Sequence, residues 1–166
     1  MKTKEELLKI YSAYLPYELE CEYEFNSIVT KYSEKRIGKL LGVREQPFHS
    51  VSLLVDNKSN NPDYIKHSEV KPILYHLSYL TKEIEHEGET FVPVEYFEIT
   101  DDHDSYPVEY DHGNIKLIKD LESIANHNSA FDIKFLPFEV VIKLIEWHFN
   151  VFNLDESEYI NKATLK

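Results

Sequence analysis

A chain of 166 residues, 42% hydrophobic and 29% charged, has the size and mix of a single globular domain, expected here over 1–166. One cysteine excludes an internal disulfide and a cysteine-rich zinc site, and four glycines exclude most glycine-rich phosphate loops. The apolar runs are too short to span a bilayer, and the charged start Met1–Glu6 lacks the apolar core of a signal peptide, so no membrane association and a cytoplasmic setting are expected.

In chain order, Thr3-Lys4-Glu5-Glu6 fits a capping box, and Leu7, Leu8, Tyr11, Tyr14 and Leu15 follow at helical spacing up to Pro16, which predicts a short amphipathic helix over about 4–14. Leu19, Cys21, Tyr23 and Phe25 alternate with four glutamates, the period-two pattern of a half-buried strand, with Cys21 an inert core residue. Further strands are expected at 27–32, 37–43 and 48–55, separated by turns at Ser33-Glu34-Lys35 and Glu45-Gln46-Pro47, with a loop over 56–63. Residues 71–77 fit either a helix opened by Pro72 or a final strand; Ser78 fits an N-cap for a helix through Ile84, and Phe91–Val94 a short edge strand. A helix is predicted over 114–126 and a longer one over 137–152. The latter carries one apolar stripe with Val141, Ile145 and Phe149 and a second with Val140, Leu144, Trp147 and Val151, so it lies in the core or, if Trp147 is exposed, offers a dimer surface.

The charge is concentrated. The net charge is −12, and the run from Glu83 to Asp111 holds 11 acids and no Lys or Arg, which leaves 19 acids against 18 bases elsewhere. Such a segment repels nucleic acid and suits a basic protein surface. Glu95, Tyr96, Phe97, Glu98, Asp101, Asp102, Asp104 and Tyr106 are therefore the candidate partner-binding residues, the acids steering and the rings supplying contact area. Asp101, His103, Asp111 and His112 combine the carboxylates and imidazoles that divalent cations use, in a spacing that matches no standard calcium loop. No nucleotide loop, dinucleotide fingerprint, paired-histidine zinc helix or nucleophile elbow occurs, so neither a cofactor nor a catalytic residue is assigned.

Several packing motifs carry a resemblance: Leu15-Pro16-Tyr17-Glu18-Leu19, Lys71-Pro72-Ile73-Leu74, the stretch 77–86, Gly88-Glu89-Thr90-Phe91-Val92-Pro93, Leu136-Pro137-Phe138, the stretch 146–152 and Lys162-Ala163-Thr164-Leu165. Together the chain resembles a family of small uncharacterised proteins from phages and mobile elements of Bacteroidetes-type bacteria. It departs from that pattern with His76 in place of proline, Tyr79 in place of aspartate and Asn153 in place of glycine. The resemblance implies a bacterial or phage cytoplasmic setting and no catalytic residue.

These readings predict an α+β fold: an N-terminal helix, a small curved antiparallel sheet or partial barrel over about 17–75, and C-terminal helices. For function they favour a non-enzymatic acidic interaction protein, of the kind a phage uses to inhibit a host defence or nucleic-acid-binding enzyme. The alternative is a divalent-metal-binding module or metal-dependent enzyme centred on residues 101–113.

Overall fold

The computed structural model describes residues 2–26, 32–46, 50–56, 63–99, 111–127 and 133–165. The fold is α+β, with an N-terminal helix, a six-stranded sheet that is open rather than closed into a barrel, and C-terminal helices. The chain divides into two compact units, Met1–Leu74 with Leu154–Leu165, and Tyr75–Asn153.

In the first unit, α1 (Lys4–Tyr14) begins as its sequence dictates. The Thr3 hydroxyl accepts from the Glu6 N–H at 3.2 Å, and the Glu6 carboxylate accepts from the Thr3 N–H at 2.6 Å. The sheet follows: β1 (Glu20–Asn26), β2 (Ser33–Gln46), β3 (Ser50–Val55), β4 (Asp63–Lys66), β5 (Val70–Leu74) and β8 (Ile160–Asn161), in spatial order β4-β3-β2-β1-β5-β8. All neighbours are antiparallel except β5 and β8, which pair in parallel. A parallel pair needs a long crossover, and here residues 75–159 supply it. Residues 70–74 are thus a strand, not a helix opened by Pro72.

The turn expected at Ser33-Glu34-Lys35 is instead the start of β2, because the glutamate row of β1 gives these polar residues partners. Lys35 Nζ lies 2.8 Å from Glu22, Ser33 bonds Glu24, and Lys39 pairs with Glu18. Arg36 pairs with Glu34 and sits 3.7 Å from the centroid of the Phe25 ring. Glu45 and Gln46, also expected in a turn, close the same strand. On the face that Phe25 and Arg36 share, opposite the glutamate row of β1, Leu19, Cys21, Tyr23, Leu40, Leu53 and Val55 are buried. Burial pushes the Cys21 thiol pKa far up, with the charge of Glu20 adding to it, so this cysteine is an inert core group.

The second unit holds β6 (Ile84–His86), β7 (Glu89–Phe91), α2 (Pro93–Ile99), α3 (Asp111–His127) and α4 (Phe138–Glu146). The helix expected from Ser78 to Ile84 is only a single 3-10 turn, Leu77–Tyr79. His76 caps it by accepting from the Ser78 N–H, and Ile84 opens β6. The edge strand expected over 91–94 ends at Phe91. Pro93 starts α2, where its missing N–H costs nothing. In α3, Leu121, Ile124 and Ala125 turn inward together.

The long helix expected over 137–152 ends at Glu146. His148 takes a left-handed φ of 62°, its N–H bonds the Ile145 carbonyl at 2.9 Å, and the Phe149 N–H bonds the Leu144 carbonyl at 2.9 Å. This is a Schellman closure with histidine where glycine is usual. Beyond it the chain runs extended beside Tyr75: the Tyr75 N–H donates to His148 O, and the Asn150 N–H donates to Tyr75 O. Phe149 and Val151 are buried from this extended segment. Of the first stripe, Ile145 and Phe149 are buried but Val141 is only half-buried. The second stripe is covered by the protein's own core, with Trp147 only 3% exposed, so it offers no dimer surface.

Candidate partner-binding groove

The second unit builds a groove from three short elements. Strands β6 and β7 form a hairpin in register Ile84↔Phe91, Glu85↔Thr90 and His86↔Glu89. Its two-residue loop, Glu87-Gly88, has φ of 52° and 84°. A tight hairpin turn of this type needs positive φ at both positions, which Gly88 supplies without strain and Glu87 does not. The outer edge of β6 is closed by one side chain: the Tyr75 hydroxyl donates to Glu85 O at 2.7 Å and accepts from the Glu85 N–H at 3.2 Å.

An aromatic cluster ties this hairpin to the two helices. The Phe91 ring centroid lies 4.9 Å from that of Trp147, Tyr96 meets Trp147 edge-on at 5.0 Å, and Phe97 lies 5.5 Å from it. Tilted and edge-to-face contacts of this kind are the favoured geometries for aromatic rings. His86 and His148 stack edge-on behind them, with centroids 5.5 Å apart.

Between β7, α2 and α4 lies a groove of about 610 Å³. Phe91, Tyr96 and Trp147 form its apolar wall, and Glu87, Glu89 and Glu146 stand along it against a single ammonium, Lys143. Lys143 Nζ is 2.7 Å from Glu146 and lies 5.5 Å from the Tyr96 ring and 5.7 Å from the Trp147 ring. Burial lowers the Lys143 pKa, but the hydrogen bond and charge of Glu146, helped by Tyr96, outweigh it and raise the pKa above the ordinary lysine value. The groove thus already holds one cation between a carboxylate and two ring faces. A cavity of about 200 Å³ in the first unit, beside Tyr11 and His67, lacks this aromatic wall, and Lys2 and Glu158 pair there at 3.3 Å.

The residues proposed from sequence fall in two groups. Glu95, Tyr96, Phe97 and Glu98 all lie on α2, with Glu95 exposed, Tyr96 38% exposed and lining the groove, and Phe97 half-buried against Trp147. Asp101, Asp102, Asp104 and Tyr106 lie outside the described residues, as does His103; Asp111 and His112 open α3. Among the described residues no three His, Cys, Asp or Glu side chains gather around a common metal position. Of the candidate residues only Tyr96 lines the groove; sequence reading placed Glu87 and Glu89 in the acidic run without singling them out, and missed Phe91, Lys143, Glu146 and Trp147 as groove residues. The signal was present in Lys143, Glu146 and Trp147 falling three and four apart on one helix side, but the long-helix reading assigned Trp147 to an apolar stripe. Comparison with protein-family models, curated proteins and solved structures finds no match for this chain.

Proposed function

We propose that this is a non-enzymatic acidic interaction protein that docks on a basic protein surface, and that the groove of the second unit is part of the docking face. The observation that carries this reading is the groove itself: three carboxylates against one ammonium, set beside exposed ring surface. Two of these carboxylates, Glu87 and Glu89, belong to the acidic run, in which Glu83, Glu85, Glu87, Glu89 and Glu95 are all exposed with no Lys or Arg among them. Carboxylates beside aromatic faces suit arginine and lysine side chains, which gain an ion pair and a cation–π contact together. The partner of matching chemistry is a nucleic-acid-processing enzyme, whose binding channel must be basic. Occupying that channel would make the protein an inhibitor of the enzyme, in keeping with the phage or mobile-element setting that the resemblance implies.

The experiment presents immobilised protein to purified DNA- and RNA-processing enzymes at low and at physiological salt. Duplex DNA should displace a bound enzyme, and binding should weaken steeply as the Debye length shrinks to about 8 Å at physiological salt. Reversing Glu87 and Glu89 to Lys should abolish capture, and reversing Asp101, Asp102 and Asp104 to Lys in otherwise wild-type protein should weaken it. Capture that withstands both reversals and excess duplex would refute the reading.

A further inference from the structure

The groove has a second property that charge does not explain. Glu89, Thr90 and Phe91 all line it. Successive strand residues point to opposite faces, so a groove touching all three runs along the edge of β7 rather than across a face. In this hairpin the pair next to the loop, His86 and Glu89, exchanges hydrogen bonds, and the next pair, Glu85 and Thr90, turns its N–H and C=O groups outward. On the β6 side the Tyr75 hydroxyl satisfies both outward groups of Glu85. On the β7 side the outward N–H and C=O of Thr90 meet no partner among the described residues, and Thr90 is exposed. One edge of the hairpin is closed and the other is left open in the acidic groove.

We infer that the groove takes an extended, lysine- or arginine-bearing segment of another protein, which adds as a third strand beside β7 through the backbone of Thr90. This rests on the docking reading above and names its mode. Exposed sheet edges pair with extended peptides through main-chain bonds, and side chains set the specificity. Charge selects the occupant. A peptide residue opposite Thr90 exchanges both bonds with it. The residues on either side of that one then share the face of Glu89 and Phe91, where Phe91 packs on Trp147. Those flanking positions are the ones to carry the cations, which would meet Glu89 and Glu146. A short acidic strand would gain the same backbone bonds but meet like charge, and an apolar one would leave Glu89 and Glu146 without a cation from the partner.

The test uses the whole protein and a short capped peptide of alternating lysine and threonine, with binding followed by calorimetry and by the emission of Trp147, the sole tryptophan. Two analogues keep every side chain but carry N-methyl groups, one on the threonine amides, the other on the lysine amides. Strand addition requires the threonine-methylated analogue to bind about tenfold more weakly and the lysine-methylated analogue to bind as the parent does. The Thr90→Pro variant should reproduce the loss with unchanged Trp147 emission, since the N–H removed faces outward and proline is tolerated on such an edge. If both analogues bind as the parent, or the lysine-methylated one alone is weakened, strand addition is overturned while the acidic docking reading stands. If the parent binds wild type no better than the Glu87→Lys, Glu89→Lys variant, both fall together.

Discussion

Gly38 lies in the middle of β2, paired with Cys21 across the strand boundary. A Cβ added there would sit 1.9 Å from the carbonyl oxygen of Asp56 and 2.8 Å from Val55 Cγ1. The first distance is far inside van der Waals contact, and its partner is backbone, so a rotamer change cannot relieve it. The Asp56 N–H is held by the Lys39 carbonyl at 2.8 Å, and Val55 is fully buried. Gly38→Ala must therefore push the end of β3 away from β2. Overpacking of this kind costs about 1–3 kcal/mol and the lost hydrogen bond about 1 more, so the expected loss is about 2–4 kcal/mol. Gly42 is the control on the same strand, because its added Cβ meets only Leu54 side-chain carbons at 3.5 and 3.6 Å, an ordinary contact. Gly42→Ala should lie within about 1 kcal/mol of wild type, since it restricts the unfolded chain at little steric cost. Urea unfolding followed by far-ultraviolet circular dichroism reads both. Equal stabilities for the two variants would refute the close approach of Asp56 to β2.

Phe149→Ala removes a fully buried ring that packs 5.6 Å from Tyr75, and should lower stability by about 3–5 kcal/mol in the same assay; a loss under about 1 kcal/mol would mean that the extended segment after α4 does not contribute to the core. Thr3→Ala should cost about 1 kcal/mol through the lost cap. The backbone hydrogen bond from Thr3 holds the Glu6 carboxyl pKa below the usual glutamate value, so its contribution is present above that value and is lost as pH falls through the depressed one. The stability difference between wild type and Glu6→Gln should accordingly be constant near neutral pH and vanish on acidification; a difference that persists in strong acid would show that the charge on Glu6 plays no part.

What sequence revealed of the fold was local. The capping box names both of its partners within four residues, and the alternation from Leu19 to Phe25 shows its buried face directly, so α1 and β1 were legible. The extent of β2 was not. Ser33, Glu34 and Lys35 read as turn residues on composition, and it is the pairing with Glu24, Phe25 and Asn26 of the preceding strand, with Ser33 bonded to Glu24 and Lys35 to Glu22, that makes them strand residues. Likewise β8 is two residues long and exists because β5 offers it an edge, a fact held in residues 87 positions away.

The helix at 137–152 misled for a different reason, and the same reason hid half of the groove. A Schellman closure places an apolar residue two past the cap so that it packs on the last turn. In this chain that residue is Phe149, opposite Leu144, and both are fully buried. The closure therefore writes an apolar residue at helical spacing just where the helix has stopped. Glycine at 148 would have marked the end, but His148 holds the left-handed φ instead. Once the helix is taken to continue, Trp147 becomes one member of an interior stripe. Ending it at Glu146 makes Trp147 the terminal cap, a buried ring whose neighbours Phe91, Tyr96 and Lys143 line the groove. Charge arithmetic could find the acidic side of this groove, because charge is additive along the chain. The aromatic wall and its lysine depend on where one helix ends, which is decided by backbone hydrogen bonds that the order of residues does not display.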